Sequence, residues 1–244
     1  MARALGTKSR FLIAYLALGA LVGAALGAFI VLVQRPGPKP PPPWSSWEPG
    51  STTVNSQLLE IADHVGSGYR LADGNPLAAV KIDNRNLQSI VVSKVAQPKT
   101  ENDFDHYDRS STAIFILCGL GQNCKAPGQP TTAEGTALRR EALELALYTM
   151  EYTHPIENVL VFFPPVAAEK TFSATLFFHR SDLKNSLDHP VRKTLPQAVP
   201  PVPGQIRPAE KRAVDDLTKP TYYHYIGTSN IPNFGNVVEL LRPS

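Results

Sequence analysis

From Phe11 to Val33 the chain reads FLIAYLALGALVGAALGAFIVLV, an apolar run of 23 residues without a formal charge or a proline. As a helix rising 1.5 Å per residue it reaches about 34 Å, enough to cross a hydrocarbon core with slight tilt. The rest of the chain therefore has to fold beside a segment that water does not favour. Arg3, Lys8 and Arg10 precede the run, and Arg35 and Lys39 follow it. This excess of positive charge predicts a cytoplasmic N-terminus and a main domain on the outer side of a cell membrane. A secretory signal peptide is the competing reading, since the basic start and the small residues around Leu26, Gly27 and Ala28 suit a peptidase. The run exceeds the usual apolar region of such a peptide, so a retained signal-anchor is expected. Residues 1–10 would then be the cytoplasmic part, too short for a folded output domain.

Gly19, Gly23 and Gly27 recur every four residues inside this run, with Ala20, Ala24 and Ala28 beside them. Four-residue spacing stacks small side chains on one helical face, and such a face lets another membrane helix come close. The expected partner is an integral-membrane protein or a second copy of the chain. Glycine and alanine are also ordinary components of membrane helices, so the spacing is moderately specific.

The formal net charge of +3 belongs to this end of the molecule. Residues 1–50 hold five basic side chains against Glu48, whereas residues 51–244 hold nineteen basic and twenty acidic ones. The body has no general positive field, so nucleic acid is not an expected partner.

Residues 34–51 form a Pro-rich spacer, QRPGPKPPPPWSSWEPGS. Proline fixes φ and favours an extended polyproline II conformation, so Pro36 to Pro43 predict a semi-rigid stalk of about 25 Å. Trp44 and Trp47 close the stalk, and are expected either in the headgroup region or on a partner.

The sequence predicts a mixed-sheet α/β domain of α+β type over 52–187. Leu58, Leu59, Ile61, Ala62 and Val65 mark a first helix, ended by Gly66 and Gly68. Short strands are expected near 77–82 and 87–95. The 111–118 run, a helix over 132–152 opened by the capping-box pair Thr131 and Glu134, and the 159–163 run read as strand, helix and parallel strand. A further strand is expected at 172–179, with a short helix from Ser181 or Asp182. Beyond Leu187, six prolines between Pro190 and Pro208 speak against a sheet interior. Residues 188–244 are therefore expected as a Pro-rich extended arm and an apolar tail. Tyr222, Tyr223 and Tyr225 in that tail either fold back onto the domain or bind a partner.

Cys118 and Cys124 are the two cysteines, and an oxidising outer compartment favours a disulfide between them. Two cysteines do not make a tetrahedral metal site. In ENDFDHYDRSS the carboxylates of Asp103, Asp105 and Asp108 alternate as the ligands of a hard cation do, but the central glycine and distal glutamate of an EF-hand loop are missing, and a solvated loop is the simpler reading. His179 and Asp182, at a strand end, are the best-placed acid/base pair. The sequence has no zinc-protease motif, nucleophile elbow or phosphate loop, so no cofactor, metal or catalytic residue is assigned. The expected function is a non-catalytic accessory subunit of a membrane complex. An outer domain binding a small ligand or an envelope polymer is the alternative, and a membrane-tethered hydrolase stands third.

Overall fold

The computed structural model describes residues 7–34, 43–83, 85–166, 169, 171–231 and 235–243. The chain divides into two units at Pro42 and Pro43. The first holds helix α1 (Thr7–Gln34), whose residues 11–30 are exposed along their whole length. This one N-terminal apolar helix has the length and composition of a membrane anchor or of a signal sequence. Most of the expected stalk, residues 35–42, lies outside the described residues.

The second unit is a mixed α/β fold. Its first helix, α2 (Val54–Gly68), starts at Thr53, whose side chain accepts from the Ser56 N–H, and buries Leu58, Ile61, Ala62 and Val65 on one face. Next come strands β1 (Ala79–Ile82), β2 (Ser89–Ser93), β3 (Phe104–Asp108) and β4 (Thr112–Cys118). Helix α3 (Thr132–Tyr152) comes after them, with the capping box between Thr131 and Glu134 closed in both directions. Strands β5 (Asn158–Phe162) and β6 (Ala174–His179) lead into helices α4 (Arg180–Leu187) and α5 (Val191–Thr194). Helix α6 (Pro208–Thr218) and strands β7 (Tyr222–Ile231) and β8 (Gly235–Leu241) complete the chain.

The eight strands form one sheet in the order β1-β4-β5-β6-β7-β8-β2-β3. β4 and β5 are parallel, joined through α3, with Ile114 opposite Leu160. β8 runs parallel to β2, and the remaining neighbours are antiparallel. Side chains alternate across the central strands, as a period of two requires. Phe115, Val161 and Phe178 face the helices and join the larger core, whereas Ile114, Leu160 and Phe177 join a smaller core with Ile90, Tyr223 and Val238.

The sheet also folds over on itself. β3 and β6 are four strand spacings apart, about 19 Å in a flat sheet, yet the rings of Tyr107 on β3 and Phe177 on β6 are 4.7 Å apart. The smaller core fills the concave side of this curl.

Two expectations are corrected. The acidic segment expected as a solvated loop contains β3, an edge strand whose exposed pattern hides its period. The expected arm over 188–244 is part of the domain. Pro208 opens α6 at a position where a missing N–H costs nothing, and the tail supplies two adjacent strands of the sheet, β7 and β8. The prolines of 190–208 exclude strand there, but Tyr222–Ile231 and Gly235–Leu241 contain none and are free to pair.

Candidate functional site

A cleft of about 450 Å³ opens where the sheet curls over, between β3 and the end of β6. Its floor is aromatic. Phe177 and Tyr223 are buried, with ring centroids 6.4 Å apart at 83°, and Tyr107 leans on Phe177. The guanidinium of Arg242 lies 5.4 Å from the Tyr223 ring centroid. Arg242 is held there because its backbone N–H donates to Ser93 Oγ at 2.8 Å, fastening the end of β8 to the end of β2. Burial pushes the phenol pKa values of Tyr107 and Tyr223 above the ordinary range, so both hydroxyls stay protonated and able to donate.

The rim carries both signs of charge. Lys94 pairs with Asp105 at 3.1 Å. Asp182, Asp216 and His179 line the same opening. The cleft thus joins an apolar stacking surface to donors and acceptors, the combination by which small polar ligands are oriented.

His179 and Asp182 come together here in a structural role. The imidazole Nδ1 accepts from the Ser181 backbone N–H at 3.2 Å and lies 2.7 Å from Ser181 Oγ. Asp182 accepts from the His179 backbone N–H at 2.9 Å. These bonds form the capping box of α4. The carboxylate therefore holds the backbone, not the imidazole, and the ring nitrogen left to act in the cleft is Nε2.

The carboxylates of Asp103, Asp105 and Asp108 do not converge. Asp103 accepts from the Lys99 and Thr100 N–H groups, Asp108 caps the Ser110 N–H, and Asp105 reaches Lys94. Among the described residues no cluster of histidine, cysteine, aspartate and glutamate has the makings of a metal site.

The aromatic residues expected to meet a partner are used inside the domain. Trp44 packs edge-on against Tyr148 and Tyr152 at 5.4 and 5.7 Å, and Trp47 stacks on His64. Between them Ser45 Oγ hydrogen-bonds Tyr148 Oη at 2.9 Å. Tyr223 is buried, while Tyr222 and Tyr225 pack on the larger and smaller cores. On α1, by contrast, a Cβ added at Gly19, Gly23 or Gly27 would meet nothing within 4 Å. Cys118 and Cys124 form a disulfide.

A second polar cluster sits inside the domain. Arg140 of α3 is fully buried and donates to Glu210 at 2.7 Å, Glu144 at 2.9 Å, the Gln197 carbonyl at 2.9 Å and the Tyr69 hydroxyl. Tyr69 donates in turn to Glu144 at 2.6 Å. Burial alone would lower the Arg140 pKa, but Tyr69, Glu144 and Glu210 hold it above the usual value. The i,i+4 spacing of Arg140 and Glu144 is legible as a surface pair. Their burial depends on Glu210, seventy residues away, which no local pattern announces.

The fold and cleft define a mixed α/β sheet domain preceded by an apolar helix. No family model matches the chain, no curated protein is significantly similar to it, and no solved structure matches it.

Proposed function

We propose that the chain is a non-catalytic accessory subunit of a membrane protein complex, spanning the bilayer once through α1 with the unit Pro43–Ser244 on the outer side. The feature that carries this reading is the four-residue spacing of Gly19, Gly23 and Gly27 along the exposed apolar helix α1. Contact with lipid alone does not call for glycine, whereas close approach of a second helix does. The disulfide supports an oxidising compartment for the domain. The basic residues before the helix support the orientation.

The test is native purification of the full-length protein in mild detergent, beside a variant with Gly19, Gly23 and Gly27 changed to Leu. A stoichiometric complex present for the wild type and lost in the variant is the expected result. A complex unchanged by the substitutions, or a mature protein that begins after residue 28 and has lost the helix, overturns the reading.

The cleft favours a second reading, a domain that binds a small polar ligand. Its aromatic floor and the Arg242 guanidinium are the recognising groups. Ligand-induced thermal stabilisation that disappears in Arg242→Ala is its test.

A further inference from the structure

Five formal charges line the cleft beside the curl of the sheet, and two of them answer each other: Lys94 and Asp105 pair at 3.1 Å. The other three, Asp182, Asp216 and Arg242, are exposed, and among the described residues none of them makes an ion pair. They come from different elements. Arg242 follows β8, Asp182 stands in the first turn of α4 just after β6, and Asp216 stands in the last turn of α6. β6 and β8 are two strand spacings apart, about 10 Å, so Asp182 and Arg242 face one opening without bonding each other. The phenols of Tyr107 and Tyr223 lie within electrostatic reach of both, and of Asp105. Asp182 spends one oxygen on the His179 N–H. Asp216 is set against its own helix, because the C-terminal end of α6 carries partial negative charge and favours a cation. Its neighbour Asp215 is answered by Arg139, Lys211 and Lys219, whereas Asp216 is left to the cleft. Ser93, 1 % exposed, lines the same cleft. Its Oγ accepts the Arg242 N–H, and its own O–H finds no acceptor among the described residues. A buried donor left over beside a guanidinium is what a carboxylate needs.

We propose that the cleft binds a free basic α-amino acid, with its carboxylate on Arg242 and Ser93, its α-ammonium on Asp182 and its side-chain cation on Asp216. The inference rests on the reading of the cleft as a small-ligand site and names the class of ligand. One cation and two carboxylates of the protein meet one carboxylate and two cations of the ligand, so the match is complete in sign and in number. Other small polar molecules match less well. An acidic amino acid sets a second anion against Asp216, a simple amine leaves Arg242 unanswered, and a neutral sugar leaves all three charges unanswered. The aliphatic stem of the ligand runs over Leu217 and Pro220, which follow Asp216 in the chain and form an apolar part of the cleft wall. Exposed ion pairs are weak singly, and three of them give a dissociation constant of about 1 mM.

The experiment follows the thermal midpoint of the full-length protein in mild detergent at low salt, titrated with L-lysine and with three analogues that each lack one charge. Lysinamide lacks the carboxylate, Nα-acetyl-lysine the α-ammonium and norleucine the side-chain cation. The expected result is stabilisation by lysine, with each analogue binding about fivefold more weakly, the factor for one exposed ion pair. In Arg242→Ala lysine and lysinamide become equal. In Asp216→Asn lysine and norleucine become equal, and the ligand-free midpoint does not fall, because the lost carboxylate opposed its own helix. Norleucine or Nα-acetyl-lysine binding as tightly as lysine, or a preference for lysine over norleucine that survives Asp216→Asn, overturns the inference. Glucose separates it from the reading beneath it. Stabilisation by glucose that requires Arg242, with no effect of lysine, overturns the inference and leaves the small-ligand reading standing. A midpoint moved by neither lysine nor glucose overturns both.

Discussion

Trp47 lies flat on His64, with ring centroids 3.9 Å apart and planes 3° from parallel. Tyr148 of α3 closes over both rings, 5.6 Å from Trp47 and 5.5 Å from His64. The segment that leads into the domain is therefore clamped to α2 and α3 from its first residues. Burial lowers the His64 pKa, and the nearby Glu144 charge opposes that shift without cancelling it.

The clamp predicts a pH dependence. A histidine with a depressed folded pKa is held neutral, so its contribution is complete above the unfolded value of about 6.5 and is lost as pH falls from there through the folded pKa. The thermal midpoint should drop between pH 7.5 and 5.5, and drop less in His64→Phe, which keeps the stack. Trp47→Ala should lower stability by about 2 kcal/mol, roughly half the cost of a fully buried aromatic. An unchanged pH response in His64→Phe would assign the titration to another group.

The Cys118–Cys124 loop is small and tight. A Cβ at Gly119 would collide with the Lys125 carbonyl oxygen, and Asn123 and Cys124 both hold left-handed backbone, with φ of 55° and 62°. Gly119→Ala should therefore break the loop outright. Replacing both cysteines with serine should cost about 2 kcal/mol by the loop-closure estimate for a ring of this size. The accompanying fall in thermal midpoint is about 4–8 °C, measurable by calorimetry with and without reductant.

The centre of the fold was legible because local signals and burial coincide there. Thr131 and Glu134 announce α3, and the unbroken apolar runs of β4 and β5 are what a strand covered on both faces looks like. The periphery was not, because its elements are defined by distant partners. FDHYD is a strand only because β2 pairs with it, and the tail is a pair of strands only because β6 and β2 wait on either side. The cleft was partly legible, since His179 and Asp182 stand out at a strand end. Tyr107, Tyr223 and Arg242 reach it only through the curl of the sheet, which no local spacing encodes.

Arg140 ties α3 to α6 and to the Pro-rich segment through Glu210 and Gln197. Arg140→Met would leave Glu144 and Glu210 buried without their cation, a change that costs about 3–5 kcal/mol. The expected outcome is a large drop in urea midpoint, with earlier proteolytic cutting within 196–207 than elsewhere. A cost near zero would mean that the carboxyls take up protons and the cluster needs no cation.

Glu141, the next residue on α3, is fully buried, and both carboxyl oxygens lack a hydrogen-bond partner among the described residues. Burial, reinforced by the Glu144 charge, pushes its pKa well above the usual carboxyl range, so the side chain is held as a neutral acid. A raised folded pKa contributes stability that is complete below the unfolded value of about 4.3 and is lost as pH climbs through the folded pKa. Glu141→Met removes both this loss and the cost of the unpaired oxygens. It should stabilise the domain by about 1–3 kcal/mol near neutral pH, with a margin over the wild type that widens between pH 5 and pH 9. Urea titrations of the two full-length proteins across that range measure the margin directly. A margin that stays constant would mean that Glu141 is already ionised in the folded state throughout the range, so that burial does not raise its pKa. One that narrows as pH rises would mean that the carboxylate gains a stabilising partner when it ionises.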